Sequence, residues 1–282
     1  MPYIATEKPI APVNKFFNDF LRGGLVGCVS ITAVTPVMNY TNHVLNNKDF
    51  VFPVRRSFDG LVSYNASVVP MIGVSLALNT LFLNKVSQNG ASEPSAAVQL
   101  CAASLSGMIA GVVGALPEGI AQAQQLSEPK PRASTVVRNI IRYNGFFALT
   151  RGVTPTMIRQ GTFTLGYMGL MPLFSNKIRE IIINPLLSDL FSAIVCGWII
   201  GIATAPWNTL RFERQKNFAQ QGAAQSYGQL MKRFFGPNAD LNILRGWKPR
   251  VIMSGCSMFL LYKGKALYDE VAGTPGNTLL IK

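Results

Sequence analysis

The sequence predicts an all-α membrane protein with six transmembrane helices, arranged as three tandem helix–linker–helix units. Three observations predict this class. Only 14% of the 282 residues are charged, whereas a typical soluble domain has about 25%. Long uncharged runs recur along the whole chain. A similar order of small residues, proline and basic residues also occurs three times.

Uncharged runs long enough to cross a bilayer identify the helices in order. The sixth run, Val251–Tyr262, is short and is followed by Lys263 and Lys265, whose aliphatic stems can reach an interface. Small residues within the runs indicate helices that pack closely on one another. The first five runs are Gly23–Asn42, Gly60–Asn84, Pro94–Pro117, Gly152–Asn176 (uncharged apart from Arg159) and Leu190–Leu210.

The repeat is marked by a proline at the end of each odd-numbered run, at Pro36, Pro117 and Pro206. A polar linker follows each proline and leads to an anchor that opens the next run. The anchors are Tyr64–Pro70, Leu149–Pro155 and Leu244–Pro249. We therefore predict an N-terminal tail over 1–13, repeats over 14–93, 94–185 and 186–271, and a C-terminal tail over 272–282.

The net charge of +13 is distributed unevenly. The linkers after the first, third and fifth runs carry +1, +4 and +6, whereas the connections after the second and fourth runs are neutral. This asymmetry places the three linkers on one side of the membrane and both termini on the other. The basic residues lie between apolar runs without a groove-reading motif, which argues against a nucleic-acid partner.

No residue pattern indicates an enzyme, a cofactor or a metal site. The four cysteines lie inside apolar runs and form no Cys-x-x-Cys pair, and His43 is the only histidine. The sequence contains no phosphate-binding loop and no arrangement typical of a hydrolytic triad. We interpret the cysteines as buried, unreactive thiols.

The chain resembles the mitochondrial carrier family over roughly residues 14–271. The matching stretches are "GGLVGCVSITAVTP" from Gly23, "NGFFALTRGVTPTMIRQ" from Asn144, "TAPWNTLR" from Thr204 and "LRGWKPR" from Leu244. The order, threefold occurrence and spacing of these stretches carry the resemblance. It implies pseudo-threefold symmetry, a short matrix-side helix in each repeat, and a monomer in the inner mitochondrial membrane with both termini in the intermembrane space.

One matrix-side helix is also indicated by the residues themselves. The stretch "RASTVVRNIIRYNG" from Arg132 and the residues after it place Val136, Ile140, Ile141 and Phe147 at helical spacing, with arginines on the other faces. We predict an amphipathic helix here that buries these four apolar side chains.

The resemblance assigns a matrix gate to the residues that follow the three prolines. In the family these positions hold acids and bases that pair, but here only Arg211 keeps its charge, and Glu118 comes one residue early. We therefore expect no complete ion pair and a weakly closed gate. The gate positions are Pro36, Met38, Thr41, Pro117, Gly119, Gln122, Pro206, Asn208 and Arg211.

Arg159 is the only charged residue between Gly152 and Asn176. A charge at mid-membrane costs about 2.5–3.5 kcal/mol on insertion scales, so such a residue usually faces a wet cavity. Its guanidinium offers a planar fork for a carboxylate or phosphate. The alternative is that Arg159 pairs with an acid such as Glu118, or with helix-end carbonyls, and only holds the helices together.

The resemblance places substrate contacts about two turns into each even helix, seven residues past the anchor glycine. Counting from Ala66, Gly152 and Gly246 gives Gly73, Arg159 with its neighbour Gln160, and Met253. Arg250 follows an anchor proline; it is either a further contact at the mouth of the cavity or a partner for lipid headgroups. An arginine with a polar neighbour indicates an anionic substrate, with nucleotide and carboxylate or phosphate both open.

The resemblance also implies cardiolipin sites where helix N-termini and backbone amides can hold phosphates. The candidate pairs are Asp59-Gly60, Asn144-Gly145, Arg151-Gly152 and Arg245-Gly246.

Two functions stay open at this point. The first is a solute carrier that moves an anionic metabolite across the inner mitochondrial membrane by alternating access. The second is a carrier-fold protein that has lost transport and acts as a membrane adaptor or remodelling factor. The departures at the gate favour the second function, and Arg159 favours the first.

Overall fold

The structure is a computed structural model that describes residues 12–45, 56–88, 94–126, 131–216, 225–237 and 242–272. Across these residues all regular structure is helical, which confirms the predicted all-α membrane fold. The helices are α1 Pro12–Leu45, α2 Leu61–Gln88, α3 Ala96–Leu126, α4 Ala133–Asn144, α5 Val153–Thr164, α6 Met171–Arg179, α7 Pro185–Gln215, α8 Tyr227–Phe235 and α9 Trp247–Val271.

The long helices close into a ring. α1 packs on α2, α2 on α3, α3 on α5, α5 on α7, and α7 on α9, while α9 returns to α1. A π-helical turn, Leu165–Leu170, joins α5 to α6, so these two form one long segment that packs on α3. The ring has a terminal end, where α1 begins and α9 ends, and a linker end, where α4 and α8 lie.

Four of the helices are long and apolar enough to cross a membrane, namely α1, α2, α3 and α7. The segment from α5 to α6 is divided by its π-helical turn, and α9 carries four basic residues, which lowers its mean hydropathy. Six crossings therefore remain a prediction. The ring of six segments is what that prediction requires.

Proline lies inside each odd-numbered member of the ring, at Pro36, Pro117 and Pro206. Proline removes a backbone donor and bends a helix. Hydroxyl groups just before two of these prolines bond back to the preceding turn: Thr35 donates to the Ile31 carbonyl at 2.6 Å and Thr204 to the Ile200 carbonyl at 2.7 Å. At their linker ends, α1 is joined to α3 by Asn42 and Gln125, and α3 to α7 by Glu118 and Arg211.

Glycines allow neighbouring helices to approach closely. A Cβ on Gly197 of α7 would lie 2.5 Å from the Gly255 Cα of α9. In the same way, a Cβ on Gly23 would lie 3.0 Å from the Gly73 Cα, and one on Gly111 2.8 Å from the Met157 Cα. The odd helix therefore crosses its even partner at small residues in each predicted repeat.

Three glycines mark equivalent starts of the even helices. Gly60, Gly152 and Gly246 directly precede α2, α5 and α9, with φ of 76°, 83° and 73°. This left-handed backbone strains other residues, so glycine is required at each start. The sequence placed the first anchor residue at Ala66, and the structure moves it to Gly60. The position in α2 that corresponds to Arg159 is therefore Ser67 and not Gly73.

The predicted amphipathic helix at the linker end is present as α4. Its Val136 and Ile140 are buried against α3, as expected. The prediction that Ile141 and Phe147 also lie in the buried face is wrong, because these side chains are 43% and 86% exposed. The chain turns at Gly145 into a short 3₁₀ helix, Phe146–Thr150, which carries Phe147 away from that face.

Candidate anion-binding cavity

The ring encloses a central cavity of about 50 Å³. A single water needs only about 10–15 Å³, so this space holds a few waters. Most of its wall is apolar, and the charged groups on the wall are Glu118, Arg159 and Arg250. The other lining residues are Ser30, Ile31, Val34, Met38, Val68, Met71, Ile72, Gln160, Phe163, Met253, Ser257 and Leu261.

Arg159 reaches across from α5 to Glu118 on α3. One guanidinium nitrogen, Nη2, donates to both carboxylate oxygens of Glu118, at 2.6 and 2.7 Å. The two side chains are 6% and 2% exposed, so the pair is removed from water. This is the contact that the structural alternative for Arg159 required. Arg159 nevertheless lines the cavity, and its Nε has no hydrogen-bond partner.

Arg250 lines the same cavity from α9 and is 3% exposed. Its Nε donates weakly to the Thr204 hydroxyl at 3.4 Å, and Nη1 lies 3.8 Å from the Met253 sulfur. Among the described residues no carboxylate pairs with it. The structure therefore places Arg250 in the cavity wall and not at the lipid surface.

Gln160 and Met253, the other predicted contacts, also line the cavity. The Gln160 Nε2 is buried without a hydrogen-bond partner, so it is a free donor next to the arginines. Gly73, by contrast, lies at the crossing of α1 and α2 against Phe20 and is absent from the cavity wall. Val68, which follows the corrected position Ser67, takes its place.

Glu118 also closes the linker end of the cavity. The Arg211 Nη1 of α7 donates to the second Glu118 oxygen at 2.9 Å, and the Arg211 side chain is only 3% exposed. The expectation that no ion pair forms here is therefore wrong. A residue one place early points about 100° around the helix, which directs Glu118 into the lumen where Arg211 and Arg159 converge on it.

Hydrogen bonds that involve neutral amide groups replace the rest of the expected gate. Gln122 donates to the Phe212 carbonyl at 3.4 Å, and Arg211 to the Asn208 side chain at 3.3 Å. Thr41 turns back to its own helix at the Val37 carbonyl, Met38 lines the cavity and Gly119 is buried. The linker end is thus sealed by one charged cluster and amide groups.

An additional amide network lies just outside this seal. Asn42 of α1 donates to the Tyr64 hydroxyl at 2.7 Å and to the Gln125 side chain at 2.5 Å. Tyr64 donates in turn to Gln125 at 3.1 Å. These bonds join α1, α2 and α3 at the linker end.

An apolar layer separates the cavity from the terminal end. It includes Val26, Ile72, Phe163, Met258 and Leu261, which are buried together. The cavity thus lies between polar groups at the linker end and apolar side chains towards the termini.

Ion pairs lie beyond that layer. Arg22 of α1 pairs with Asp269 of α9, which closes the ring between the first and last helices. Asp189 at the start of α7 is fully buried and accepts from Arg179 at 3.0 Å, and it also contacts Lys263 and Ser175. No sequence pattern indicated these partners, because the acids and bases lie on different helices from those that the family pattern uses.

The candidate cardiolipin positions lie at the linker end. Gly60, Gly152 and Gly246 open even helices, and Gly145, with φ of 78°, follows α4. Arg151 donates to the Asn144 side chain at 3.1 Å. Burial and the nearby positive charge of Arg214 lower the pKa of Arg151 from its ordinary value.

The residues that precede Gly60 and Gly246 are held by hydrogen bonds to their backbone carbonyls. The Asp59 carbonyl accepts a hydrogen bond from Gln125 at 2.9 Å, and the Arg245 carbonyl one from Thr209 at 3.4 Å. Both carbonyls are thus tied to odd helices. The amides of the following helix starts remain the groups that could hold a phosphate.

Residues 92–180 match a family model described as "Mitochondrial carrier protein". The match spans the second of the three predicted repeats, which holds Glu118 and Arg159. Comparison of the whole chain with curated proteins gives no match.

Proposed function

We propose that the chain is a member of the mitochondrial carrier family, which its residues 92–180 match, and that it moves a small anionic metabolite by alternating access through the central cavity. Members of this family are multi-pass transporters of the inner mitochondrial membrane and not enzymes. The main evidence for an anionic substrate is Arg250, a buried arginine in the cavity wall without a carboxylate partner among the described residues.

The charges around the cavity support an anion. Arg159, Arg211 and Arg250 converge there, and the one acid among them is Glu118, so two positive charges stay uncompensated. Uncompensated buried charge is costly, because water has been removed and nothing has replaced it. A bound anion would supply the missing counter-charge.

The donors near Arg250 fit a carboxylate or phosphate group. A guanidinium presents parallel N–H groups that match two oxygens of such a group. The free Nε2 of Gln160 offers a further neutral donor. We propose Arg250, Arg159 and Gln160 as the polar contacts and Met253 as an apolar contact, and we leave the choice between a nucleotide and a smaller carboxylate or phosphate to the substrate screen.

The test is uptake of labelled anions into liposomes that contain the purified protein. A charge-assisted contact is worth about 1.5–3 kcal/mol, so Arg250→Ala should lower the apparent affinity more than tenfold. Arg250→Lys should recover part of this loss. The matched control is Arg138→Ala on the exposed face of α4, which should transport like the wild type. Equal uptake by Arg250→Ala and wild type would remove Arg250 from the site.

A second function is favoured by one specific observation. The cavity is small, and Glu118 occupies the Arg159 fork, which is the arrangement expected of a carrier fold that no longer transports. In that case the protein would act as a membrane adaptor or remodelling factor. The same uptake screen separates the two functions, because an adaptor would show no flux for any anion although it is inserted and folded.

Further parts of the proposal rest on the family. We infer that the chain works as a monomer with both termini in the intermembrane space and the linker end in the matrix. We also infer that the repeats over 14–93, 94–185 and 186–271 act as three units around the cavity. Cardiolipin bound at the starts of the even helices would support the linker end.

A further inference from the structure

We propose that Glu118 is a built-in counter-anion, which an incoming dianion displaces from Arg159. This inference rests on the proposed function and deepens it, because it names the substrate class and the residue that selects it. Glu118 would act as a specificity-determining residue: in the empty carrier its carboxylate takes the place that one anionic group of the substrate takes later.

Glu118 and an anionic group of the substrate cannot occupy the Arg159 guanidinium at the same time. A single nitrogen of Arg159 donates to both Glu118 oxygens, at 2.6 and 2.7 Å. The Arg159 Nε is buried and unpaired, so the guanidinium has donors left that its present partner does not use. A substrate carboxylate or phosphate that bound this guanidinium through two parallel bonds would have to move Glu118 aside.

The pair lies where a ligand can reach it. Glu118 and Arg159 both line the central cavity, and they meet across its wall from α3 and α5. An ion pair that only held α3 and α5 together would be expected where these two helices cross. The crossing of α3 and α5 is instead formed by Gly107 and Gly111 with Thr164 and Met157.

The displaced carboxylate has another partner. Its second oxygen already accepts from Arg211 at 2.9 Å, so Glu118 can leave Arg159 without becoming an unpaired buried charge. Because Arg211 lies on α7, the exchange would change the contact that links α3, α5 and α7 at the linker end. Substrate binding and opening of the linker end would thus share one residue.

The charge balance points to a dianion. A ligand with one negative charge can bind Arg250 and leave the Glu118–Arg159 pair intact. A ligand with two negative charges can bind Arg250 with one anionic oxygen and compete for Arg159 with another, and it neutralises both uncompensated charges. The class is therefore a dicarboxylate or a phosphate monoester, and Glu118 keeps monoanions from using Arg159.

Binding to the purified full chain in detergent tests the proposal, with succinate and adenosine monophosphate as dianions and acetate as monoanion. Glu118→Gln frees Arg159, so its Kd for succinate and adenosine monophosphate should fall at least tenfold. The Kd for acetate should fall less, because acetate can bind Arg250 without displacing Glu118. The matched control is Glu180→Gln, which removes the same charge from an exposed turn and should bind like the wild type.

If Glu118 had only a structural role, Glu118→Gln would raise the Kd, because loss of the carboxylate would loosen the cavity and weaken binding. Wild-type binding of a dianion together with equal or weaker binding by Glu118→Gln would overturn this inference alone. Absence of anion binding by the wild type and by every variant would overturn the proposed function as well.

A second variant covers the case in which Glu118→Gln does not fold. Glu118→Asp keeps the charge but is shorter by one methylene, so it cannot reach Arg159 and Arg211 equally well. We expect its Kd for succinate to lie between the wild-type value and tenfold below it. An unchanged or higher Kd for the aspartate variant would count against displacement.

Discussion

At the residue scale, the central group is Glu118, which holds two arginines at once. Removing one partner of a buried ion pair typically costs about 3–5 kcal/mol, because the other charge stays behind. The two possible truncations are not equivalent here. Arg159→Gln leaves Glu118 paired with Arg211, whereas Glu118→Gln leaves three arginines without any acid.

We therefore predict that Glu118→Gln lowers the melting temperature more than Arg159→Gln does. The measurement is thermal unfolding of the purified variants in detergent at one pH and ionic strength. The double variant should lose less than the sum of the two single losses, since the residues are in contact. The reverse order of the single variants would mean that Arg211 is not a sufficient partner for Glu118.

The residue scale also shows the limit of sequence reasoning. The isolated position of Arg159 predicted a polar group in a cavity, and the structure places it there. Whether Arg250 faced the cavity or the lipid was left open, because a residue next to an anchor proline can turn either way. Glu118 was considered as a partner for Arg159 but not for the gate, because it lies one residue out of register, although that displacement is what turns it into the lumen.

At the scale of elements, glycines set how closely α7 and α9 approach. A Cβ at Gly197 would meet the Gly255 Cα at 2.5 Å, and backbone cannot move aside as a flexible side chain can. Overpacking of this kind costs about 1–3 kcal/mol. Gly228 in α8 is the matched site, since the nearest atom to an added Cβ is the Ser226 Oγ at 4.0 Å.

We predict opposite effects for the same substitution at these two glycines. Gly197→Ala should lower the melting temperature, whereas Gly228→Ala should leave it unchanged or raise it slightly, because alanine favours a helix by about 0.5–1 kcal/mol. Thermal unfolding of the two variants side by side is the measurement. A Gly197→Ala protein as stable as Gly228→Ala would show that the helices can separate without cost.

Helices could be predicted where a long uncharged or amphipathic stretch marks them. Their exact ends, and which residues are equivalent between repeats, were harder to predict. The uncharged runs predicted α1, α2, α3 and α7, and apolar residues at helical spacing between arginines predicted α4. The short run Val251–Tyr262 underestimated α9, Trp247–Val271, because lysines near a helix end look like a boundary. The second run was expected to begin at Gly60, but its anchor glycine was placed at Ala66, because this anchor lacks the basic residue that marks the other two.

At the scale of the whole molecule, the ring closes through a few contacts at each end. Arg22 and Asp269 join the first and last helices at the terminal end. At the linker end, helix starts with left-handed glycines face the side where the basic linkers lie. A doubly charged lipid that binds several helix starts would hold the ring together there.

We predict that cardiolipin raises the melting temperature of the purified protein and that phosphatidylcholine at the same concentration does not. Cardiolipin brings anionic phosphates to the amides at the starts of the even helices, while a zwitterionic headgroup has no net charge to contribute. Thermal unfolding in mixed micelles is the measurement. Indifference to cardiolipin would remove the four glycine-containing pairs from the list of lipid sites.

The central claim is that the uncompensated positive charge in the cavity holds an anion. The most direct test is the Kd for the anion that the uptake screen identifies, measured on wild type and on the double variant Arg159→Ala/Arg250→Ala. In the double variant Glu118 keeps Arg211, so the cavity becomes neutral. We predict a Kd at least a hundredfold higher, on the order of two charge-assisted contacts. Binding of that anion by the folded double variant with the wild-type Kd would contradict the account.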